Sequence, residues 1–302
     1  MKPLFFNLIC LSLILTSGTT PCLADPPLSA DTPVTKLSNK ARAGDPEAQF
    51  YLGVKYTHGL KVMKDLDEAL KWFRQAADQG HAEAQYYLAS AYRYGHSVEK
   101  DEAMAFEWYQ KSAEQGYVKA QSIIGWMYYV GKNTPKDYAL AFKWYQKAAD
   151  QGDASAQYGL ACIYNDGLGG IPKDYALALK WYQKAVDKDH LLAHYTLGKM
   201  YEYGHGVEKD FHTALRLYEE AANQGEAYSQ HSLGRMYSLG QGVEKDDITA
   251  LAWYYVVQKG KVTFKGLDEY ITKEEADLGP QKTALAKQRA KKLTDKIKFD
   301  NE

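Results

Sequence analysis

Tryptophan recurs at a fixed period along most of this chain. The spacings are 36, 36, 37 and 72 residues, the last being two periods with Leu217 in the skipped position, and the series runs Trp72, Trp108, Trp144, Trp181, Trp253. Periods of this length are typical of proteins in which each repeat forms a helix pair and buries its apolar face on the next repeat. The period therefore predicts an all-α fold, an α-solenoid of six 36-residue helix-turn-helix repeats over residues 45–260, with a capping helix at each end.

The first helix of each repeat is predicted from a capping residue and an apolar face. In the first repeat, Asp45 supplies an N-cap before Pro46, and Ala48, Leu52 and Tyr56 recur every fourth residue. One small residue accompanies this face in every repeat: Gly53, Ala89, Gly125, Ala161, Gly198, Gly234. Because glycine is costly inside a helix, this recurrence predicts a place where another helix approaches too closely for a larger side chain.

The second helix of each repeat is predicted from a recurring aspartate and a recurring glycine. The aspartates, which suit an N-cap, are Asp65, Asp101, Asp137, Asp174, Asp210 and Asp246. An aromatic pair flanked by alanines follows, as in Ala69, Trp72, Phe73 and Ala76. The helix is expected to end at residues that tolerate a left-handed backbone: Gly80, Gly116, Gly152, Asp189 and Gly225.

Three segments carry a family resemblance: Ala82–Ala89, Tyr138–Gly152 and Tyr201–Asp210. They resemble the Sel-one-like repeat family, a relative of the tetratricopeptide repeats, and the resemblance extends over residues 45–260. It implies a right-handed superhelix whose concave face, lined by the first helices, commonly binds other proteins. Exported bacterial members of that family act as adaptors, envelope regulators or inhibitors.

The first 24 residues have the pattern of a secretory signal peptide. A lysine at position 2 precedes an apolar run from Leu4 to Leu15, and small residues at Cys22 and Ala24 precede a cleavage point. The run is shorter than the roughly 20 residues that a membrane-spanning helix needs. The sequence therefore predicts an exported protein without a membrane span after cleavage, periplasmic as the first choice and secreted as the second.

The segments that flank the repeats are expected to cover the exposed ends of the array. Residues 25–44 are interpreted as a leader followed by an N-terminal capping helix, and residues 261–302 as a C-terminal capping segment. Gly266, Gly279 and Pro280 break the period in that segment, and residues 281–298 are predicted to form a basic helix. The basic face of that helix is interpreted as a solvated surface.

Cysteine content excludes an internal disulfide after export. Cys10 and Cys22 lie in the predicted signal peptide, so the processed chain keeps Cys162 alone. Because Cys162 falls within a predicted helix, we interpret it as a small apolar core residue.

The charge balance and the motif search exclude several function classes. Lys and Arg number 37 against 38 Asp and Glu, which gives no global field for binding nucleic acid. Neither a nucleophile elbow nor a phosphate-binding loop occurs, and no paired cysteines suggest a metal site. His190 and His194 are four residues apart, as zinc ligands would be, but no third ligand is evident. We therefore expect no enzyme activity, no metal and no cofactor.

Aromatic and basic residues occupy the side of the first helix opposite its apolar face. Because that side should be polar on a helix covering a core, these residues are candidates for binding a partner: Phe50, Tyr86, Arg93, Trp126, Tyr129, Tyr158, Tyr195, Lys199, Arg235. Two interpretations stay open. The residues line an exposed concave groove, or neighbouring first helices bury the rings against one another.

The function predicted from these observations is an exported scaffold that binds a protein partner through its concave groove, as an envelope adaptor or inhibitor. One alternative is a binder of cell-envelope glycan or peptidoglycan fragments, in which the rings would stack on sugars. A further alternative is a weak hydrolase of the lactam or amide class, which the lack of a recognised nucleophile disfavours.

Overall fold

The structure, a computed structural model, describes residues 33–297, and all regular structure in that range is helical. The helices are α1 (Val34–Arg42), α2 (Pro46–His58), α3 (Leu66–Asp78), α4 (Ala82–Tyr94), α5 (Glu102–Glu114), α6 (Val118–Val130), α7 (Tyr138–Asp150), α8 (Ala154–Asp166), α9 (Tyr175–Val186), α10 (Leu191–Tyr203), α11 (Phe211–Ala222), α12 (Ala227–Leu239), α13 (Asp247–Gln258) and α14 (Leu267–Lys296). The prediction of an all-α solenoid built from helix pairs is confirmed.

The described chain divides into two compact units. The first unit holds residues 33–163 and 168–171, and the second holds residues 164–167 and 172–297. The dividing point falls within α8, next to the fourth repeat's extra residue in segment 167–170. Each unit is a stack of helix pairs with its own buried side chains.

The first helices of the repeats are more buried than the second helices, except in the last repeat, where α13 has eight buried residues of 12 and α12 has six of 13. In the first unit, eight of the 13 residues of α6 are buried, against four of the 13 residues of α7. In the second unit, nine of 13 are buried in α10 and five of 12 in α11. The first helices therefore form an inner layer, and the second helices cover it with one apolar face each.

Side chains cap the helices as the sequence predicts. The carboxylate of Asp45 accepts a hydrogen bond from the backbone N–H of Ala48 at 3.0 Å, and every predicted aspartate caps its second helix in the same way. The predicted left-handed residues after the second helices have positive φ, between 57° at Asp189 and 95° at Gly225. Local sequence thus fixes where each helix starts and ends.

The recurring small residue of the first helix faces an aromatic ring rather than another backbone. A Cβ atom at Gly53 would lie 2.7 Å from the ring of Phe73, and one at Gly198 would lie 2.7 Å from the ring of Tyr218. Both rings belong to the second helix of the same repeat. The prediction of a close contact is right, but the expected partner was wrong, because a side chain and not a helix backbone fills the space.

The two members of the aromatic pair in the second helix have different environments. Tyr145 is buried, whereas the preceding Trp144 is only half-buried and lies under the Lys147 ammonium, 4.3 Å from its ring centroid. The same arrangement recurs at Trp108 under Lys111, 4.1 Å away. In these two repeats the second residue of the pair is therefore the core residue and the tryptophan covers the outer layer, whereas in the last repeat Trp253 is buried as well.

A repeated glutamine fixes the register between successive repeats. The Gln85 side chain donates to the backbone carbonyl of Ala77 at 3.2 Å and accepts from the Gln115 side chain at 2.7 Å. Gln121 repeats both contacts one period later, with Ala113 and Gln151. Because the Gln85 and Gln121 side chains are buried, their bonds to the carbonyls of Ala77 and Ala113 satisfy backbone groups near helix ends that water cannot reach.

Helices at both ends of the described chain cap the repeats. Leu37 and Ala41 of α1 pack on Ala48 and Leu52 of the first repeat. At the other end, α14 bends at Gly279, whose φ and ψ of 76° and 171° are non-helical, so it consists of two helical halves. The first half, from Leu267, lies where the sequence analysis expected only a break in the period. The glycine and proline were therefore correctly placed at an interruption, but the helix before them was missed.

The second half of α14 agrees with the predicted basic helix. Ala286, Ala290 and Ile297 are buried on one side of it, and Arg289 donates to the carboxylate of Asp246 at 2.6 Å. Lys298, the last residue of the predicted helix, lies outside the described residues.

The predicted signal peptide, including Cys10 and Cys22, also lies outside the described residues. From residue 33 to residue 297, none of the helices combines the length and the apolar character needed to cross a membrane. Cys162 is buried and forms no disulfide, in agreement with its interpretation as a core residue.

Candidate partner-binding surface

Most of the residues predicted to bind a partner are buried. Seven of the nine are between 3% and 8% exposed: Phe50, Tyr86, Arg93, Trp126, Tyr129, Tyr158, Tyr195. The other two, Lys199 and Arg235, are half-buried. This burial favours the interpretation in which neighbouring helices cover the rings. A contact between these residues and a partner stays a prediction, and it is limited to the exposed part of each side chain.

The rings of the first two repeats illustrate how they are covered. Phe50 stacks on the imidazole of His81, which caps the next first helix, with ring centroids 4.7 Å apart. Tyr86 packs edge-on against Tyr109 and Tyr117, at 5.5 and 5.2 Å. Burial raises the pKa of Tyr109 to about 12, and it raises the pKa of Tyr86 as well. These phenols therefore stay neutral and act as packing groups.

A cluster of cations and rings in the first unit leads from the buried layer to the surface. The Arg93 guanidinium lies over the ring of Trp126 at 4.8 Å and over the ring of Tyr94 at 5.3 Å. Tyr94 is 46% exposed and stacks on His96 at 5.7 Å. We call Arg93, Tyr94, His96, Trp126 and Lys132 the Trp126 cluster, because Lys132 lies 6.0 Å from the same ring.

Ion pairs lie beside the Trp126 cluster. Glu102 forms ion pairs with Lys100 at 2.9 Å and with Lys132 at 3.1 Å. The hydrogen bond from Lys100 is the main cause that lowers the pKa of Glu102 to about 2, so this carboxylate stays ionised. Both lysines are thus paired with one carboxylate, whereas the Arg93 guanidinium lies over two rings.

A second cluster, in the second unit, is built around a buried carboxylate. Glu202 is only 2% exposed, accepts from the Tyr218 hydroxyl at 2.8 Å and forms an ion pair with Arg235. The Lys199 ammonium lies 5.5 Å from the ring of Tyr195. We call Tyr195, Lys199, Glu202, Tyr218 and Arg235 the Glu202 cluster. The Glu226 carboxylate also acts on the Tyr195 hydroxyl, so the two cations are accompanied by two carboxylates.

The exposed apolar residues of the first helices lie at a position that the sequence analysis did not consider. Tyr94, Tyr203 and Leu239 each end a first helix, and they are 46%, 50% and 58% exposed. A left-handed glycine follows each of them, at Gly95, Gly204 and Gly240. We call these three residues the tip residues. The recurring pair of a large residue before glycine was the signal in the sequence that could have identified them.

The motifs that could suggest catalysis or metal binding have ordinary structural roles. His190 caps α10, accepting from the N–H of Ala193 at 3.3 Å, and burial lowers its pKa to about 4. His194 contacts the backbone carbonyl of His190 at 3.1 Å. Within residues 33–297, no group of three His, Cys, Asp or Glu side chains is arranged to hold a metal ion.

The chain also contains a Ser-x-x-Lys sequence, the nucleophile pattern of several lactam-reactive enzymes, which the sequence analysis did not identify. Ser97 and Lys100 match that pattern, but they lie in an exposed loop after α4 rather than on one face of a helix. Lys100 forms an ion pair with Glu102 at 2.9 Å. Ser97 has a left-handed backbone with φ of 57°, a conformation typical of a tight turn. This arrangement does not place the lysine as a base for the serine hydroxyl.

Solved structures similar to this chain include two Sel1-type repeat proteins. One is c5321, a protective antigen of uropathogenic Escherichia coli strains with an SLR fold, which is 32% identical with a TM-score of 0.72. The match covers 88% of this chain and 56% of that one, so this chain spans little more than half the length of that protein. The other is a Sel1 repeat protein from Oxalobacter formigenes, 29% identical with a TM-score of 0.67, covering 76% of this chain and 98% of that one. Among curated proteins, no match to this chain was found.

The Sel1 repeat matches six consecutive segments, at residues 46–81, 82–117, 118–153, 154–190, 191–226 and 227–255. These segments make up more than half of the chain, and their boundaries follow the helix pairs described above. Sel1 repeat proteins generally mediate protein–protein interaction. On this sequence match and on the similarity of the two solved structures, the chain belongs to the Sel1 repeat family.

Proposed function

We propose that this protein is an exported, non-enzymatic scaffold that binds another protein, as an adaptor or an inhibitor in the cell envelope. The observation that carries the proposal is the set of tip residues, Tyr94, Tyr203 and Leu239, which are exposed at equivalent positions of the repeat. Each unit places at least one of them close to a cluster of cations. The proposed binding surface is therefore the ends of the first helices.

Exposed rings beside fixed cations suit protein recognition. Tyrosine and arginine supply much of the contact energy in protein interfaces because they bury a large area and lose little freedom. Arg93 is held between two rings and Arg235 is held by Glu202, so both guanidinium groups are already ordered before a partner arrives. These two ordered cations favour a partner with acidic groups on its surface.

The alternative of a glycan binder receives less support from the same geometry. Stacking on a sugar requires an open ring face, and the faces of Phe50 and Trp126 are covered by His81 and Arg93. At least seven of the nine residues predicted to bind a partner are buried, so they cannot present such faces. Of the remaining exposed rings, Tyr94 stacks on His96, and Tyr175 and Tyr203 both stack on His205, so one face of each is already covered.

The partner-binding role is tested by affinity capture from an envelope extract with the purified chain as bait. Replacing Tyr94 and Tyr203 by alanine is expected to reduce recovery of the specific partner about tenfold or more, because two exposed aromatic anchors are removed. The readout is quantitative mass spectrometry of the captured proteins, with far-UV circular dichroism to verify that helicity is retained.

A matched control for this capture replaces Met63 and Leu285 by alanine. These residues are 89% and 39% exposed, but they lie in the loop after α2 and in α14 rather than at the ends of first helices. Capture by this control should equal capture by the unaltered chain. Equal recovery with the Tyr94 and Tyr203 variant would show that the tip residues do not bind the partner.

The exported location is tested separately. Expressed in a Gram-negative bacterium with its first 24 residues, the protein is expected in the periplasmic fraction, with a mature N-terminus at Asp25. Intact-mass spectrometry of the fractionated protein measures both. Replacing Leu11 and Leu13 by arginine would interrupt the apolar run and should hold the uncleaved chain in the cytoplasm. Recovery of the unaltered chain in the cytoplasm with Met1 retained would contradict the export proposal.

A further inference from the structure

The second unit contains a small pocket between α12, α13 and the beginning of α14. Its volume is about 330 Å³, and its walls include Arg235, Ser238, Leu239, Tyr254, Lys265 and Tyr270. Ligand pockets generally measure about 300 to 1,000 Å³, so this one has room for one or two residues of a peptide and not for a folded element.

One side of the pocket is a rigid aromatic wall. Tyr254 and Tyr270 pack edge to face with centroids 4.8 Å apart, and the Tyr270 hydroxyl lies 3.1 Å from the Ser238 hydroxyl. The ring of Tyr254 lies against the backbone of Gly234, where a Cβ atom would be only 2.8 Å from the ring. His231 stacks on Phe264 at 4.5 Å. These contacts hold the wall in place without a ligand.

The rest of the pocket has an exposed apolar rim and two cations. Leu239, a tip residue, is 58% exposed at the rim. Arg235 has one terminal nitrogen on Glu202, which leaves further N–H donors of its guanidinium to face the pocket. Lys265 is exposed, and no ion pair to it is present in the part of the chain that the structure describes.

The carboxylates near the pocket lie outside its lining. Glu202 already accepts from Arg235 and Tyr218, Glu274 and Asp247 are close to Tyr270, and Glu269 is close to Gly266. Burial and the Arg235 charge lower the pKa of His231 to about 4, so its imidazole is neutral at physiological pH. The pocket is therefore apolar on its walls and positive at one side.

We infer that this pocket binds an apolar residue that carries or adjoins a carboxylate, in a peptide segment of the partner protein. This inference rests on the proposed function and names the chemistry that one part of the surface recognises. The apolar side chain packs between Leu239 and the tyrosine wall, and the carboxylate accepts hydrogen bonds from Arg235 and Lys265. The carboxylate belongs either to the C-terminus of the segment or to an acidic side chain next to the apolar residue.

Three short peptides test this inference with the purified, ¹⁵N-labelled chain. The first is acetyl-Gly-Ser-Gly-Leu with a free C-terminus, the second is the same peptide amidated, and the third is acetyl-Gly-Ser-Leu-Glu amide. Titration is followed by the NMR shifts of the Ser238 and Gly266 amides. We expect at least one of the two acidic peptides to shift both signals, and the neutral amide to bind about tenfold more weakly than that peptide. The tighter of the two acidic peptides identifies the source of the carboxylate.

Two variants locate the binding in the pocket. Leu239→Ala and Lys265→Gln should each weaken the better acidic peptide about threefold to tenfold, by removing apolar contact and charge respectively. Leu285→Ala and Lys282→Gln change an exposed leucine and an exposed lysine of α14 that do not line the pocket, and they should have no effect.

Several outcomes would overturn the inference: equal binding of the neutral amide, no shift with any peptide at millimolar concentration, or shifts unaffected by the pocket variants. Its failure is distinguishable from failure of the proposed function. Capture that depends on Tyr94 and Tyr203 while all peptides fail would disprove only the pocket's role. Peptide binding without such capture would disprove the role of those two tip residues.

Discussion

Alanine in place of Tyr145 is expected to lower the free energy of unfolding by about 3 to 5 kcal/mol, the usual cost of deleting a large buried aromatic side chain. Tyr145 is 4% exposed, and it lies between two first helices of the first unit. A Cβ atom at Gly125 would lie 2.7 Å from one edge of its ring, and a Cβ atom at Gly159 would lie 2.6 Å from the other.

The cost is expected at the upper part of that range because the site cannot collapse. Two glycines face the ring, so neither of these positions has a side chain that could move into the space. The spacing of the two helices is fixed by other contacts, including the hydrogen bond from the Ser122 hydroxyl of α6 to the carboxylate of Asp153, which caps α8. A cavity that stays open adds its own penalty to the lost transfer free energy.

Urea denaturation followed by circular dichroism measures this effect, with Trp144→Ala as the matched control. Trp144 is the adjacent residue and a larger side chain, but it is half-buried on the outer layer under Lys147. We expect Trp144→Ala to lower the free energy of unfolding by about 1 kcal/mol, less than half the decrease expected for Tyr145→Ala. A larger loss at Trp144 than at Tyr145 would mean that the periodic tryptophan, and not the residue after it, holds the repeat together.

Tyr145 also marks the limit of what the sequence predicts about this fold. The period, the aspartate caps and the left-handed glycines are local signals, and each one defines a helix boundary that the structure confirms. The sequence also predicts a close contact at Gly125. It does not identify the group that makes the contact, because the identity of a packing partner depends on how two helices cross, which no single helix encodes.

The candidate site was predicted less well, for a related reason. The helical period correctly places Tyr86 and Trp126 opposite the Ala48 face, and on a helix with one free side those residues would be exposed. Along the middle of the first helices the side chains are buried or half-buried, because second helices and neighbouring first helices pack against them. The exposed side chains of these helices lie at the helix ends, where Tyr94 and Tyr203 are found. A rule based on helix faces could not find residues whose exposure comes from their place at a helix end.

Methionine in place of Arg235 is expected to lower the free energy of unfolding by about 2 to 4 kcal/mol, because it leaves the carboxylate of Glu202 buried without its cation. Glu202 is 2% exposed, so water cannot replace the guanidinium, and the Tyr218 hydroxyl satisfies only one carboxylate oxygen. The side chain of Arg235 is 30% exposed in its ion pair. The reverse change, Glu202→Gln, should therefore cost less, about 1 to 2 kcal/mol, since the cation left behind can reach water.

A double-mutant cycle in urea separates this explanation from a simple loss of contact area. If the buried charge is the cause, combining Glu202→Gln with Arg235→Met should recover most of the stability lost by Arg235→Met alone. Arg216→Met is the matched control, because Arg216 forms its 2.8 Å ion pair with Glu220 on the exposed surface of the same unit and should change stability by no more than about 0.5 kcal/mol. Additive losses in the cycle would instead show that Arg235 stabilises the second unit through packing of its aliphatic part, and that the buried carboxylate is satisfied without it.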